Sequence, residues 1–427
     1  MIMNDQNSDL IRFLNSSVSP YHTVYEAEKR LRDAGFRCLD MTGDWDIVKG
    51  ENYYTRMFDT GLLAFHAGDP LGGLRLSAAH TDWPGLRVRP KPEMTSAGCC
   101  RLSVEVYGGA ILSSWFDRPL SVAGIVTLQG SDVLKPDIRL IDFSQPVLVI
   151  PNLAIHMNRD ANKGTEINAA KDILPLCRTI EDGWEKENYL ISQLAAILNV
   201  EPSEILSYDL LVYNPQEAQI AGFEEDMLLS PRLDNLTSVY ACLDGILRAD
   251  SRTFCGIVLY DNEEIGSGTR EGAGSRVLAS LLEKAMVSLG YNAVQCRDSF
   301  MKGLLLSCDV AHALHPNYTE KGDNISFSLL NRGVALKLNA SRRYATDAAG
   351  WAIVESLCRN AGIPLQRYAN RADMAGGGTI GSIASAMTGI RAVDVGVPIL
   401  AMHASSELMG IKDQDSLDRL VRAFFEA

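Results

Sequence analysis

From residue 233 onward the sequence alternates between short apolar runs and amphipathic stretches, and few architectures accommodate that pattern. A helix over 235–249 places Leu236, Val239, Tyr240, Leu243 and Leu247 on one face. After it the pattern predicts strand 254–260, helix 274–289, strands 303–309 and 335–339, helix 345–360 and strand 364–369. Helix 379–388, strand 391–397 and helix 414–425 complete the series. Strands alternating with helices build an open α/β sheet, mostly parallel and covered on both faces. Upstream, 5–15 and 21–35 read as helices broken at "SVSPYH", with Ser19 as cap and Pro20 opening the second. "GLRLSAAH" at 73–80 reads as a buried strand.

From about residue 95 the texture changes. "RLSVEVY", "LSVAGIVTL" and "IRLIDFSQPVLVI" are short β-rich stretches punctuated by Gly and Pro. A helix at 183–198 and the strand-like "YDLLVYNPQ" follow. The expected organisation is an α/β domain from 1–92 and 233–427, doubly wound around a mostly parallel sheet, with an inserted β-rich domain at 93–232. A chain of 427 residues has room for both. "GGG" at 376–378 lacks the following Lys-Ser/Thr of a phosphate loop.

A net charge of −13 argues against nucleic acid or an anionic membrane as the main partner. Nine cysteines without a CxxC, two of them adjacent at Cys99 and Cys100, fit reduced thiols and a cytoplasmic location. The opening "MIMNDQNSDLIRFL" does not read as a signal peptide, and no apolar run reaches ~18 residues, so no membrane span is expected.

In open α/β sheets, sites form at the carboxyl ends of the strands, and here those ends are polar. Strand 73–80 ends in His80, with Asp82 two residues on; strand 254–260 runs into Asp261, Glu263 and Glu264. Strand 303–309 ends in Asp309, with His312 beyond it, and strand 391–397 leads through "PILAM" to His403. Asp234 precedes a helix. Singly, each has a structural reading: a hydrogen-bonded strand-end histidine, a helix N-cap acid, a loop carboxylate. Together they form a ligand-type set at one sheet edge. Residues two apart in an extended chain point the same way, so Asp82 can grip the far nitrogen of a metal-bound His80. Imidazole and carboxylate without thiolate suit zinc, with manganese or cobalt as substitutes. No HExxH occurs, which excludes a single-helix zincin site.

The segments "SPYHTV", "HTDWPGLRVRP", "YGGAILSSWFDRPL", "HMNRDANKG", "SPRLDNLTS", "DNEEIGS", "CDVAHALHPNY", "GGGTIG" and "LAMHASSE" lie in the order and spacing of the M18 metallopeptidases, the aspartyl aminopeptidase family. The resemblance extends over essentially the whole chain. It implies a two-zinc centre in which His80 and Asp309 hold one ion, Glu264 and His403 the other, and Asp234 bridges both. It makes Glu263 the general base, Asp82 the partner of His80, and the Asp234–Asn235 peptide cis.

The resemblance also suggests His312, Lys337 and Tyr344 as substrate contacts, and His156 as a residue that reaches a neighbouring subunit's active site. It implies peptide substrates, a preference for N-terminal Asp or Glu, and dimers that assemble into a dodecamer. Two departures lie near the site: Ser406 precedes Glu407 where some members carry Arg, and Trp83 stands where smaller residues are common. Two other readings are an amidohydrolase acting on N-acyl amino acids and a self-assembling shell or cargo protein with secondary activity.

Overall fold

The computed structural model describes residues 5–427 apart from 165, 183, 185, 251 and 375. The chain forms two compact units. One comprises Met1–Asp82, Ala218–Met402 and Glu407–Ala427; the other comprises Trp83–Glu217 and His403–Ser406.

The first unit is built on a nine-stranded sheet. Across it the strands run Arg37–Cys38, Asn52–Met57, Gly61–His66, Cys255–Tyr260, Arg75–His80, Leu304–Cys308, Arg391–Gly396, Val334–Leu338 and Leu365–Ala369. The four central strands, from Cys255–Tyr260 to Arg391–Gly396, are mutually parallel, so their carboxyl ends share one edge. Antiparallel pairings enter on either side, where Gly61–His66 meets Cys255–Tyr260 and where Val334–Leu338 meets Arg391–Gly396. The sheet is therefore mostly parallel and of mixed α/β type.

Side-chain alternation decides which helices cover which face. Leu76 and Ala78 pack in one core with Leu278, Leu282 and Ala285 of helix Val277–Ser288 and with Ile380 and Ala384 of helix Ile380–Thr388. Arg75 points the other way and donates to the carbonyl of Phe425 at 3.0 Å, in helix Ile411–Glu426. That helix packs against helix Leu233–Arg248 and, with it, against strand Arg75–His80. A sheet covered on both faces needs apolar side chains in both directions, which is why Cys255–Tyr260 is buried at every position. A smaller five-stranded sheet includes Met227–Ser230, Glu407–Gly410 and Pro398–Leu400.

The second unit carries a six-stranded antiparallel sheet. Its core contains Leu86, Val104, Val122, Val126, Leu210 and Val212, capped by Leu190 and Leu194 of helix Tyr189–Leu198. Segment His403–Ser406 is tied to this unit by hydrogen bonds. The His403 carbonyl accepts from Ile111 N–H at 3.0 Å, Ser405 N–H donates to Ser114 Oγ at 2.8 Å, and Asn214 Nδ2 donates to the Ser405 carbonyl at 3.0 Å.

Several sequence expectations shift. The hairpin Asn52–Met57/Gly61–His66 and helix Ala293–Lys302 are absent from the sequence reading. The hairpin shows no polar alternation because its second strand is buried on both faces. The helix expected over 183–198 starts at Tyr189; positions 183 and 185 lie outside the described residues. The helix expected from 414 starts at Ile411.

One glycine couples this sheet to the residues beyond its edge. A Cβ on Gly396 would lie 1.7 Å from the backbone oxygen of Asp309, on the neighbouring chain segment. Gly396→Ala should therefore cost about 1–3 kcal/mol or more by forcing backbone apart, read as a lowered midpoint in urea denaturation.

Candidate active site

Three neighbouring parallel strands deliver the central residues. His80 is the last residue of Arg75–His80, Glu263 and Glu264 follow Cys255–Tyr260, and Asp309 follows Leu304–Cys308. His80, Asp234, Asp309 and Asp82 are all buried, between 1% and 7% exposed. That much carboxylate in low dielectric is costly without a compensating cation.

His80 lies at the middle of the group. Its Nε2 is 3.5 Å from Asp234 Oδ1 and 3.6 Å from Asp309 Oδ1. These separations are too long for hydrogen bonds. Two donors each ~2.1 Å from one tetrahedral ion sit ~3.4 Å apart, so the spacing is that of ligands sharing an ion. Possible ligand atoms of His80, Asp234 and Asp309 all lie within 4.8 Å of one another, as do those of His80, Glu263 and Glu264.

Electrostatics agree with the spacing. Burial works against a charged His80, but the carboxylates of Asp234, Asp309 and Asp82 around it hold its pKa well above the usual histidine range. The pocket thus stabilises positive charge where the donors converge. Burial pushes Glu263 up to about 7; His80 opposes this, and Asp309, Asp82 and Asp234 add to it. Glu264 is raised well above the ordinary carboxylate range, first by burial and then by Asp234. A divalent cation fits such a donor set, since it allows the crowded carboxylates to remain ionised.

Asp82 organises both sides of this arrangement. His80 Nδ1 lies 3.0 Å from the Asp82 carbonyl and 3.3 Å from its Oδ1, so Nδ1–H donated to Asp82 leaves the Nε2 lone pair facing Asp234 and Asp309. The same carboxylate accepts the backbone N–H of Glu263 on Oδ1 and that of Glu264 on Oδ2, each at 3.1 Å. The chain enters that turn through Asn262, whose φ of 62° lies in the left-handed region, and continues as a 3-10 turn over Glu263–Ile265. With ~3 residues per turn, adjacent side chains there diverge by ~120°, so the two glutamates point to different places.

Asp234 is held by backbone geometry. It lies in the first turn of helix Leu233–Arg248, where Asp234 and Asn235 depart from helical angles and the peptide between them is cis, as the resemblance implies. Its backbone N–H donates to Glu407 Oε2 at 3.0 Å. Asn235 Nδ2 donates to the carbonyl of Cys308, the residue before Asp309, at 2.9 Å. Glu407 and Asn235 were not singled out as site residues in the sequence. Glu407 stands in "LAMHASSE" four residues after His403, and that position was the available signal.

The remaining expected residues occupy distinct places. Lys337 is 2% exposed, and its Nζ donates to Asp309 Oδ2 at 3.2 Å. Burial acts to lower its pKa, but Asp309, Tyr344 and Asp394 outweigh it and the net shift is upward. Buried Tyr344 has its ring centroid 5.3 Å from that ammonium. His312 is exposed and lines a cavity of about 300 Å³ together with Lys321, Tyr368, Asn370 and Arg371. His403 and His156 belong to the second unit: His403 is half-buried with Nδ1 3.2 Å from the Gly109 carbonyl, and His156 is exposed.

The family model described as "Aminopeptidase I zinc metalloprotease (M18)" matches residues 13–425. The chain belongs to the M18 family. It is accordingly a metalloaminopeptidase, a hydrolase. A probable M18 family aminopeptidase 2 of Clostridium novyi is 41% identical over 411 residues, covering 95% of each chain. Another, from Ectopseudomonas mendocina, is 41% identical over 423 residues, covering 98% of this chain and 97% of its own. Among solved structures, Ape4 in its complex with Nbr1 superposes with a TM-score of 0.94 at 32% identity, covering 98% of this chain and 85% of that one. An M18 aminopeptidase of Thermotoga maritima, at 22% identity, shares the fold with a TM-score of 0.87, covering 98% and 95% of the two chains.

Because Asp234 N–H is buried against Glu407, Glu407→Ala should cost about 1–3 kcal/mol and weaken zinc binding, while Glu407→Gln, which keeps an acceptor oxygen, should lose less of both. Equilibrium dialysis against zinc and urea denaturation measure the two effects.

Proposed function

We propose that this metalloaminopeptidase removes N-terminal residues from peptides, with a preference for Asp and Glu, at a centre of two zinc ions. His80, Asp309 and bridging Asp234 would hold one ion, and Asp234, Glu264 and His403 the other, with manganese or cobalt as possible replacements. The spacing of donors around His80 Nε2, at 3.5 and 3.6 Å from two carboxylates, carries this reading. Divalent ions bound there supply Lewis acidity and make water a competent nucleophile at neutral pH.

The protein groups divide the remaining work. Glu263 accepts the proton of the attacking water and returns it to the leaving amine. Asp82 sets the positions of both glutamates and the tautomer of His80. Glu264, turned away from Glu263, is left to coordinate. His312, Lys337 and Tyr344 contact the substrate, and the cavity beside His312 gives a peptide room. An acidic first side chain would be selected locally, by Lys337 and His312, since the net charge of −13 opposes long-range attraction of acidic peptides.

We assign the β-rich region drawn at 93–232 to dimerisation, with His156 completing a neighbouring subunit's site. One related structure is of the dodecamer of yeast mApe1, at 27% identity and a TM-score of 0.86, which supports dimers of this chain building a similar assembly. All nine cysteines are thiols, as suits a reducing, cytoplasmic compartment. Among the described residues no helix is long and apolar enough to cross a membrane.

A scan of N-terminal residues in peptide and arylamide substrates, with zinc, manganese and cobalt, tests the activity; cleavage of N-acyl amino acids alone would replace it. Glu263→Gln should retain two metals per subunit and lose turnover by about 10²–10⁴-fold, whereas Glu264→Gln should lose metal. Equal metal loss in the two variants would sink the division of labour.

Lys337→Ala should lower turnover of Asp substrates more than that of Leu substrates. An equal loss on both would mean that Lys337 acts through Asp309 alone.

A further inference from the structure

Asp394 is a fully buried carboxylate in the middle of strand Arg391–Gly396 and lies outside the proposed ligand set. Its flanking residues Val393 and Val395 are equally buried, so an ionised carboxylate there needs hydrogen bonds and a compensating cation. Thr379 Oγ1 donates to Asp394 Oδ1 at 2.6 Å, and the backbone N–H of Ala345 donates to Oδ2 at 2.5 Å. Asp394's own N–H donates to Thr346 Oγ1 at 3.0 Å. A Cβ on Gly381 would lie 2.6 Å from Oδ1, so the last glycine of "GGGTIG" lets helix Ile380–Thr388 approach the carboxylate. One side chain thus gathers the sheet, the start of that helix and the segment that carries Tyr344.

These hydrogen bonds satisfy the oxygens but do not balance the charge. The buried cation across from it is Lys337: the antiparallel register of Ala335 with Gly396 and Leu336 with Val395 makes Lys337 the next position opposite Asp394 on the neighbouring strand, and Lys337 is 2% exposed. Lys337 therefore serves two carboxylates, one of them a proposed metal ligand. An ammonium that bonds a ligand carboxylate competes with the metal for that carboxylate's charge. A second carboxylate facing the same ammonium relieves the competition.

We propose that Asp394 is a positioning residue for the metal centre: by sharing the Lys337 ammonium with Asp309 it keeps Asp309 a strong anionic ligand. Its hydrogen bonds to residues 345, 346 and 379 hold the segment that carries Tyr344 against the sheet while it does so. The proposal rests on the reading of Asp309 as a ligand.

Asp394→Asn removes the charge and keeps the size and one acceptor oxygen. Zinc affinity, measured by competition with a fluorescent chelator, should weaken about tenfold, roughly 1.4 kcal/mol. Thr379→Val deletes one hydrogen bond and leaves the charge; it should lower thermal stability and keep wild-type zinc affinity. In a Lys337→Met background Asp394→Asn should weaken zinc much less, because the competing cation is gone. Lys337→Met alone should bind zinc more tightly than wild type, an independent reading should Asp394→Asn fail to fold.

Wild-type zinc affinity in Asp394→Asn would overturn the proposal. So would equal weakening by Thr379→Val, or an Asp394→Asn effect of the same size in both backgrounds. Unchanged affinity in Lys337→Met would also overturn it. Wild-type protein that binds no zinc would overturn the metal-centre reading itself, a result separable from these.

Discussion

The structure turns on one electrostatic constraint: buried carboxylates converge on a single imidazole at the carboxyl edge of three neighbouring parallel strands. Parallel strands in register bring their ends to the same level, so His80, Glu263, Glu264 and Asp309 meet there although they are far apart in sequence. Their mutual repulsion has two outlets. Protons can be taken up, which is the direction in which Glu263 and Glu264 are pushed, or a cation can be bound. The 3.5 and 3.6 Å separations around His80 Nε2 match the spacing of donors around one ion.

Much of the surrounding structure keeps that repulsion from rearranging the site. Asp82 is the clearest case. Its backbone and side chain face His80 Nδ1, and its two oxygens each take an N–H from the 263–264 turn. A carboxylate used this way has both oxygens satisfied by donors, and it aligns two neighbouring strand ends through one residue. Glu407 does the corresponding job for Asp234 from a separate small sheet, and Asn235 links the same helix start to the strand that leads to Asp309. Each tie fixes backbone as well as side chain. The ligand positions therefore depend on hydrogen bonds within folded elements more than on side-chain rotamers in a loop.

The fold class was legible because alternation of strand and helix from 233 onward admits few solutions. The sheet edge at which these side chains gather was legible because His80 and Asp309 each close an apolar run and Glu263 and Glu264 come shortly after another. Roles within the set were less so: periodicity brings Glu263 and Glu264 to the same edge, but only the 3-10 turn separates their directions. Lys337 shows the limit more plainly. Sequence offers a lysine in a strand, a pattern shared with solvent-exposed edges, whereas its burial against Asp309 depends on a strand order that puts Val334–Leu338 next to Arg391–Gly396. Glu407 and Asp394 escaped for the same reason, since their partners lie on segments distant in sequence.

On the proposed reading, Lys337 would also connect ligand strength to substrate recognition. A lysine donating to Asp309 Oδ2 could not move to meet a substrate carboxylate without giving up that hydrogen bond and leaving the Asp309 charge less screened. If an acidic side chain draws the ammonium toward itself, Asp309 regains electron density at the moment substrate is bound. An apolar first residue offers no such exchange. Preference for Asp or Glu would then arise partly from a better metal centre and only partly from direct attraction, and discrimination would fall on turnover as well as on affinity.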